Sequence, residues 1–186
     1  MTSVTIPPSV TEIKGNAFFN CKNLTSATIQ GNGLTLAAAA FANCERLTSV
    51  TIVEGVAEID GGAFLGCNAL AEIFVAEENP NYKSVDGVLF TKDGKILLAY
   101  PPALRDNEDY QVLEGVTVIE RAAFSSARIR DVTFPERLTV IKREAFYNCR
   151  RLETLFFPES LIEIGRWALG ACHHLKDSII PLFLPK

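Results

Sequence analysis

The sequence has little of what catalytic and metal-binding chemistry needs. It holds two histidines, one tryptophan and one methionine in 186 residues. The histidines are adjacent, His173-His174; neighbours on an extended or looped chain point apart, and no carboxylate stands at helical spacing to orient either ring. A serine nucleophile therefore lacks its base, and no G-x-S-x-G turn displays one. Gly31-Asn32-Gly33 and Gly61-Gly62 lack the further glycines and the lysine of a phosphate cradle, so they read as turns. Asp86-Gly87 and Asp93-Gly94 lack the ligand series and closing glutamate of a calcium loop. On these grounds no catalytic residue, metal ligand or cofactor is assigned, and an enzyme is not expected.

Charge of either sign is also modest. Lys and Arg total 18 against 22 acids, a net −4, which argues against a nucleic-acid partner, because phosphate neutralisation needs a basic face. No apolar run reaches bilayer length, so direct membrane insertion is not expected. Met1 to Pro8 has neither the basic nor the apolar region of a leader. The expectation is a chain that is not secreted, or one whose leader lies outside these residues.

Five cysteines are present, with no C-x-x-C pair and an odd count. Their spacing explains them: Cys21 to Cys44, Cys44 to Cys67 and Cys149 to Cys172 are each 23 residues apart. Equal spacing marks a structural repeat. The thiols are expected to form a column of small buried hydrophobes, with Ala127 in the same place in one copy.

The repeat itself is centred on Ala17-Phe18-Phe19-Asn20-Cys21 and a following run, Leu24 to Ile29. Aligned on its aromatic, the phrase recurs at Phe18, Phe41, Phe64, Phe124, Phe146 and Leu169, with steps of 23, 23, 60, 22 and 23. The step of 22 reflects one residue lost after Ala127. An aliphatic residue lies five before each anchor, and another closes each run. Leu47-Thr48-Ser49-Val50-Thr51-Ile52 has the alternation of a strand. A turn such as Glu54-Gly55 leads to a second extended piece, Val56 to Ile59. The A-F phrase is too short for an ordinary helix and reads as a single helical turn; the run Ala37 to Ala40 has high helical propensity. One such unit cannot bury its apolar side alone, so only stacking stabilises it.

The phrases I-P-x-S-V-T-E-I (Ile6 to Ile13), I-x-x-x-A-F-x-N-C (Ile13 to Cys21, Ile141 to Cys149) and L-T-S-V-T-I (Leu47 to Ile52) resemble the leucine-rich repeats of the BspA-like bacterial surface-antigen family. The resemblance implies a right-handed, mainly β solenoid of about 23-residue units with short helical turns. It also implies a cell-surface or secreted location and binding to protein or glycan on a cell surface, without catalytic residues.

The 60-residue step equals one repeat plus about 37 residues. The expected organisation is one solenoid domain over 1–186, with repeats over 1–75 and 110–186 and a β-hairpin insertion at about 76–109. Within the insertion, Asp86-Gly87 and Asp93-Gly94 between apolar runs predict strands through Val85, Phe90 and Tyr100, with Pro101-Pro102 ending the last. Similar N-P-x-Y-x-S-x-D-G-V-L-F-x-K-D-G segments occur in the same family.

What remains as a candidate site is a surface. The outward positions of the first strands align into a sheet face carrying hydroxyls in the early copies (Ser26, Thr28, Ser49, Thr51) and acids and aromatics in the later ones. Glu72, Phe74, Asp131, Thr133, Thr154 and Phe156 are the candidate partner-binding residues. Their rings either anchor a partner or pack over one another and under the insertion. A binding module is the favoured reading, and a spacer within a longer repeat array is the alternative. The apolar end Ile179 to Lys186 lacks a polar cap and suggests self-association through that edge.

Overall fold

Alternation decides which way each strand faces. In the computed structural model, which describes residues 1–104 and 109–179, β5 (Ser49–Ile52) buries Val50 and Ile52 and leaves Ser49 and Thr51 half-buried on the other side. Because the sequence repeats at the length of one coil, like residues stack on like. Strands β1 (Ser3–Ile6), β3 (Ser26–Ile29), β5 and β7 (Glu72–Val75) pair parallel and in register, Ser3 on Ser26 on Ser49 on Glu72. The second extended pieces make a three-stranded sheet of β2 (Glu12–Ile13), β4 (Leu34–Leu36) and β6 (Val56–Ile59). The result is a β-solenoid of about seven turns.

A third wall comes from the A-F phrase, and it is not helical. No described residue lies in a helix. Each phrase carries two residues in the left-handed region, two before and two after the anchor: Asn16 and Asn20, Ala39 and Asn43, Gly62 and Gly66, Ala122 and Ser126, Glu144 and Asn148, Trp167 and Ala171. A left-handed residue at every fourth position breaks the α-helical bond pattern. Instead the amides alternate in their partners. Phe19 N–H bonds back to Asn16 O within its own turn, whereas Phe18 and Asn20 N–H bond across to Ala40 O and Ala42 O of the next coil. The turn is thus a hydrogen-bonded ladder in its own right, and this overrides the propensity of the alanine run. Asparagine suits these positions because its side chain tolerates the left-handed conformation.

Inside, the anchor rings stack. Phe18 and Phe41 lie 4.7 Å apart and 5° from parallel, and Phe124 and Phe146 lie 4.7 Å apart at 8°. Beside them four of the five cysteine thiols donate to the anchor carbonyl of the preceding coil: Cys44 to Phe18 O at 3.1 Å, Cys67 to Phe41 O at 3.1 Å, Cys149 to Phe124 O at 2.9 Å and Cys172 to Phe146 O at 3.0 Å. Cysteine serves here as a small apolar side chain with one weak donor.

The segment between the regular halves forms a meander of β8 (Tyr82–Val85), β9 (Val88–Thr91) and β10 (Ile96–Ala99), with turns at both Asp-Gly pairs as the sequence predicts. Its last strand then rejoins the solenoid. β10 pairs parallel with β12 (Val118–Ile119), which continues to β14 (Val140–Ile141) and β16 (Glu163–Ile164). Tyr100 takes the anchor place: its N–H bonds to Ala123 O, and its ring stacks on Phe124 at 5.0 Å. The 60-residue step therefore contains a further ring of the ladder, 36 residues after Phe64 and 24 before Phe124. Only two residues separate Leu97 from Tyr100, where four separate its ladder partner Ile119 from Phe124.

Strands β9 and β10 are buried on both sides. Leu89 and Leu98 point into the first core, with Phe41, Phe64 and Tyr82; Val88, Phe90 and Leu97 point into the second, with Phe124 and Phe146. The meander is a shared wall between two cores, which accounts for its unbroken apolar runs. A plug seals the first core. Asn79, fully buried, donates to Val53 O at 2.7 Å and accepts from Asn81 N–H and Tyr82 N–H at 2.9 Å each. The Tyr82 hydroxyl accepts from Ile59 N–H at 2.9 Å and donates to Ala57 O at 3.3 Å, satisfying the open edge of β6.

Candidate binding face

The outward residues of the first strands form two patches. On the first, Thr5, Thr28, Thr51 and Phe74 make one column, beside Ser3, Ser26, Ser49 and Glu72. On the second, β11 (Asp109–Gln111), β13 (Asp131–Thr133), β15 (Thr154–Phe156) and β17 (Asp177–Ile179) stack in that order. One column there is Asp109, Asp131 and Thr154, and the other is Gln111, Thr133 and Phe156.

The two patches belong to separate sheets. β7 does not pair with β11, because the meander takes its outer edge: Ile73 N–H donates to Gly87 O at 3.0 Å and Val75 N–H to Ser84 Oγ at 3.1 Å. Of the six residues singled out from the sequence, Asp131 and Thr154 touch, and Thr133 and Phe156 are ladder neighbours. Glu72 and Phe74 stand on the other sheet. Phe74 is 57% and Phe156 62% exposed; neither ring packs beneath the meander.

Electrostatics tie down the acidic column. The Thr154 hydroxyl donates to the Asp131 carboxylate, and Arg130 Nε lies 3.0 Å from its other oxygen. The hydroxyl first, then the guanidinium, holds the Asp131 carboxyl below its usual range. Arg130 also reaches Asp109 at 3.7 Å. Sequence reasoning missed Arg130, although its position just before the strand places it beside the column.

The remaining chemical candidates are engaged or solvated. Burial pushes the Cys149 thiol up, and the neighbouring Cys44 with burial does the same to Cys67. His173 and His174 are exposed on the turn after Cys172. Among the described residues no three His, Cys, Asp or Glu side chains are grouped to hold a metal ion, and no helix is long and apolar enough to cross a membrane. The end Ile180 to Lys186, on which edge self-association was expected, lies outside the described residues.

Residues 1–95 and 106–184 match the model of the BspA type leucine rich repeat region, in six copies. Among solved structures, the chain resembles a leucine-rich repeat protein from Eubacterium ventriosum, with TM-score 0.74 and 21% identity over 96% of this chain and 59% of that one. It also resembles the pneumococcal vaccine antigen PcpA, with TM-score 0.75 and 25% identity over 96% of this chain and 50% of that one. A leucine rich cell surface protein from Faecalibacterium prausnitzii aligns with TM-score 0.55 and 21% identity, over 96% and 78% of the two chains. The chain thus spans 59% and 50% of the length of the first two. No curated protein sequence matches.

Proposed function

The chain belongs to the BspA-type leucine-rich repeat family, and from that membership we propose that it is a non-catalytic module binding a protein or glycan at a bacterial cell surface. The observation that carries the reading is the exposure of Phe74 and Phe156 on the strand-lined patches, at 57% and 62%. Most of the other phenylalanines are buried in the cores. Large rings held on rigid strands, with acids and hydroxyls around them, have the composition of an interface anchor. The surface location is drawn from the family and from the printed descriptions of PcpA as a vaccine antigen and of the Faecalibacterium protein as a cell surface protein.

Binding would work through shape and side-chain complementarity, with each ring desolvated against the partner. The test is a pull-down and a protein and glycan array with the wild type beside a Phe74→Ser/Phe156→Ser variant. Loss of binding in a folded variant supports the strand-lined patches as the site. Undiminished binding moves the site off the strand-lined patches, to the Tyr82–Tyr100 meander or another surface. No binding by the wild type favours the spacer reading.

A further inference from the structure

A second surface carries positive charge repeated from coil to coil. Arg128 follows Ala127 and Arg150 follows Cys149, so they hold the same turn position in consecutive coils, with Arg151 next to Arg150. Coils paired as parallel strands lie about 4.8 Å apart, so positive charge repeats along the solenoid axis. Two adjoining clefts, of about 690 and 280 Å³, share Arg128, Arg150 and Arg151 in their walls. The larger is completed by Asn68, Ser126, Ala127 and Asn148. The smaller adds Arg130, His174 and one acid, Glu153.

Counter-charges are spent elsewhere. Glu153 is 3.4 Å from Lys176 Nζ, and Arg130 faces Asp131 and Asp109. Among the described residues no carboxylate lies within ion-pair distance of Arg128 or Arg150; the Arg150 Nε bonds the neutral Asn148 Oδ1 at 2.8 Å. Both arginines are exposed. The net charge of −4 conceals this local excess.

We propose that this arginine cleft binds a linear anionic glycan through its carboxylate or sulfate groups. Guanidinium forks match those anions bidentately, while Asn68, Ser126 and Asn148 offer amide and hydroxyl groups to sugar hydroxyls. The repeat of charge along the axis suits an extended chain. No Phe, Tyr or Trp lines either cleft, and His174 is the one ring in their walls; binding of single-stranded nucleic acid draws on stacking of successive bases on several rings, which sets a glycan ahead of a nucleic acid. The site lies on turns and does not rest on the reading of Phe74 and Phe156.

The experiment titrates four probes into the wild type and an Arg128→Gln/Arg150→Gln variant: heparin oligosaccharides, oligogalacturonate, neutral maltooligosaccharides and oligo-dT. The expected result is binding of an anionic glycan that weakens as salt rises and falls about ten-fold or more in the variant. Heparin binding alone assigns the anion as sulfate; binding of oligogalacturonate as well admits carboxylate. Both substitutions are on exposed side chains, and an unchanged melting curve confirms that the variant is folded. The Phe74→Ser/Phe156→Ser variant should bind these probes as the wild type does. The proposal is overturned if neither anionic glycan binds, if the arginine variant binds equally well, or if oligo-dT or the neutral sugar binds as tightly.

Discussion

Replacing Asn79 with alanine removes three hydrogen bonds in the plug that seals the first core. The Val53 carbonyl loses its donor, and Asn81 N–H and Tyr82 N–H lose their shared acceptor. Each orphaned buried group costs about 1–3 kcal/mol. Asn81 is exposed and Val53 half-buried, so water recovers part of the loss there, whereas Tyr82 is buried. The expected destabilisation is about 3 kcal/mol, a large share of the ~5–15 kcal/mol that holds a domain folded. Tyr82→Phe keeps the ring but removes the bonds to Ile59 N–H and Ala57 O, for about 1–2 kcal/mol. Because the two residues share one network, the double variant should lose less than the sum. Urea unfolding at equilibrium measures all three variants, and amide exchange at Ile59 reports the Tyr82 bond directly. An Asn79→Ala protein within about 1 kcal/mol of wild type at an unchanged m-value would refute the view that this plug holds the meander in place.

Two further outcomes test the coil and its titration. Asn43 is exposed with φ of 59°, so Asn43→Val should cost about 2 kcal/mol through backbone strain alone, while Asn43→Gly stays within about 0.5 kcal/mol; equal effects in thermal melts would show that the side chain, not the dihedral, matters. The buried Tyr100 hydroxyl has no hydrogen-bond partner among the described residues, and burial pushes its pKa up to about 12. A folded value above the unfolded ~10 means that its contribution is whole below pH ~10 and is lost as pH rises towards 12. Tyr100→Phe should therefore leave neutral-pH stability unchanged or raise it by about 1 kcal/mol and should move alkaline unfolding to higher pH. A drop of more than about 1 kcal/mol at neutral pH would reveal a partner for the hydroxyl.

Much of the architecture was legible because a period carries its own register. Once Phe18, Phe41 and Phe64 were aligned, the pairing of Ser26 with Ser49 and Glu72 followed, and the observed ladders run in that register. The two Asp-Gly turns gave the meander for a local reason, the positive φ that both Asp86 and Gly87 adopt. Tyr100 was hidden because its copy lost two residues and reads Ala-Tyr-Pro-Pro, with tyrosine for the phenylalanine and prolines after it, so the spacing did not announce it. The left-handed columns were equally obscure. Asn16, Asn20 and Asn43 hint at them, but Ala39, Glu144 and Trp167 adopt the same φ only because cross-coil bonds at the flanking residues hold them there. The division of the strand-lined face into two patches was beyond reach of the repeat pattern, since it depends on Gly87 and Ser84 occupying the edge of β7. The arginine column sat in plain view, but a net charge averaged over the chain obscured it.

The double-sided wall of β9 and β10 has a consequence for how such chains change length. Each of its faces completes one hydrophobic core, so neither half relies on the other for burial. A coil gained or lost by recombination within one half leaves the packing of the other intact, provided that the exchange preserves whole coils. The meander therefore works as a splice point, where lineages or protein engineers can join repeat arrays of different length and surface character. A grafted array needs an edge strand in register with β10 and a side chain to stack on the Tyr100 ring, and it inherits a ready-made floor for its core.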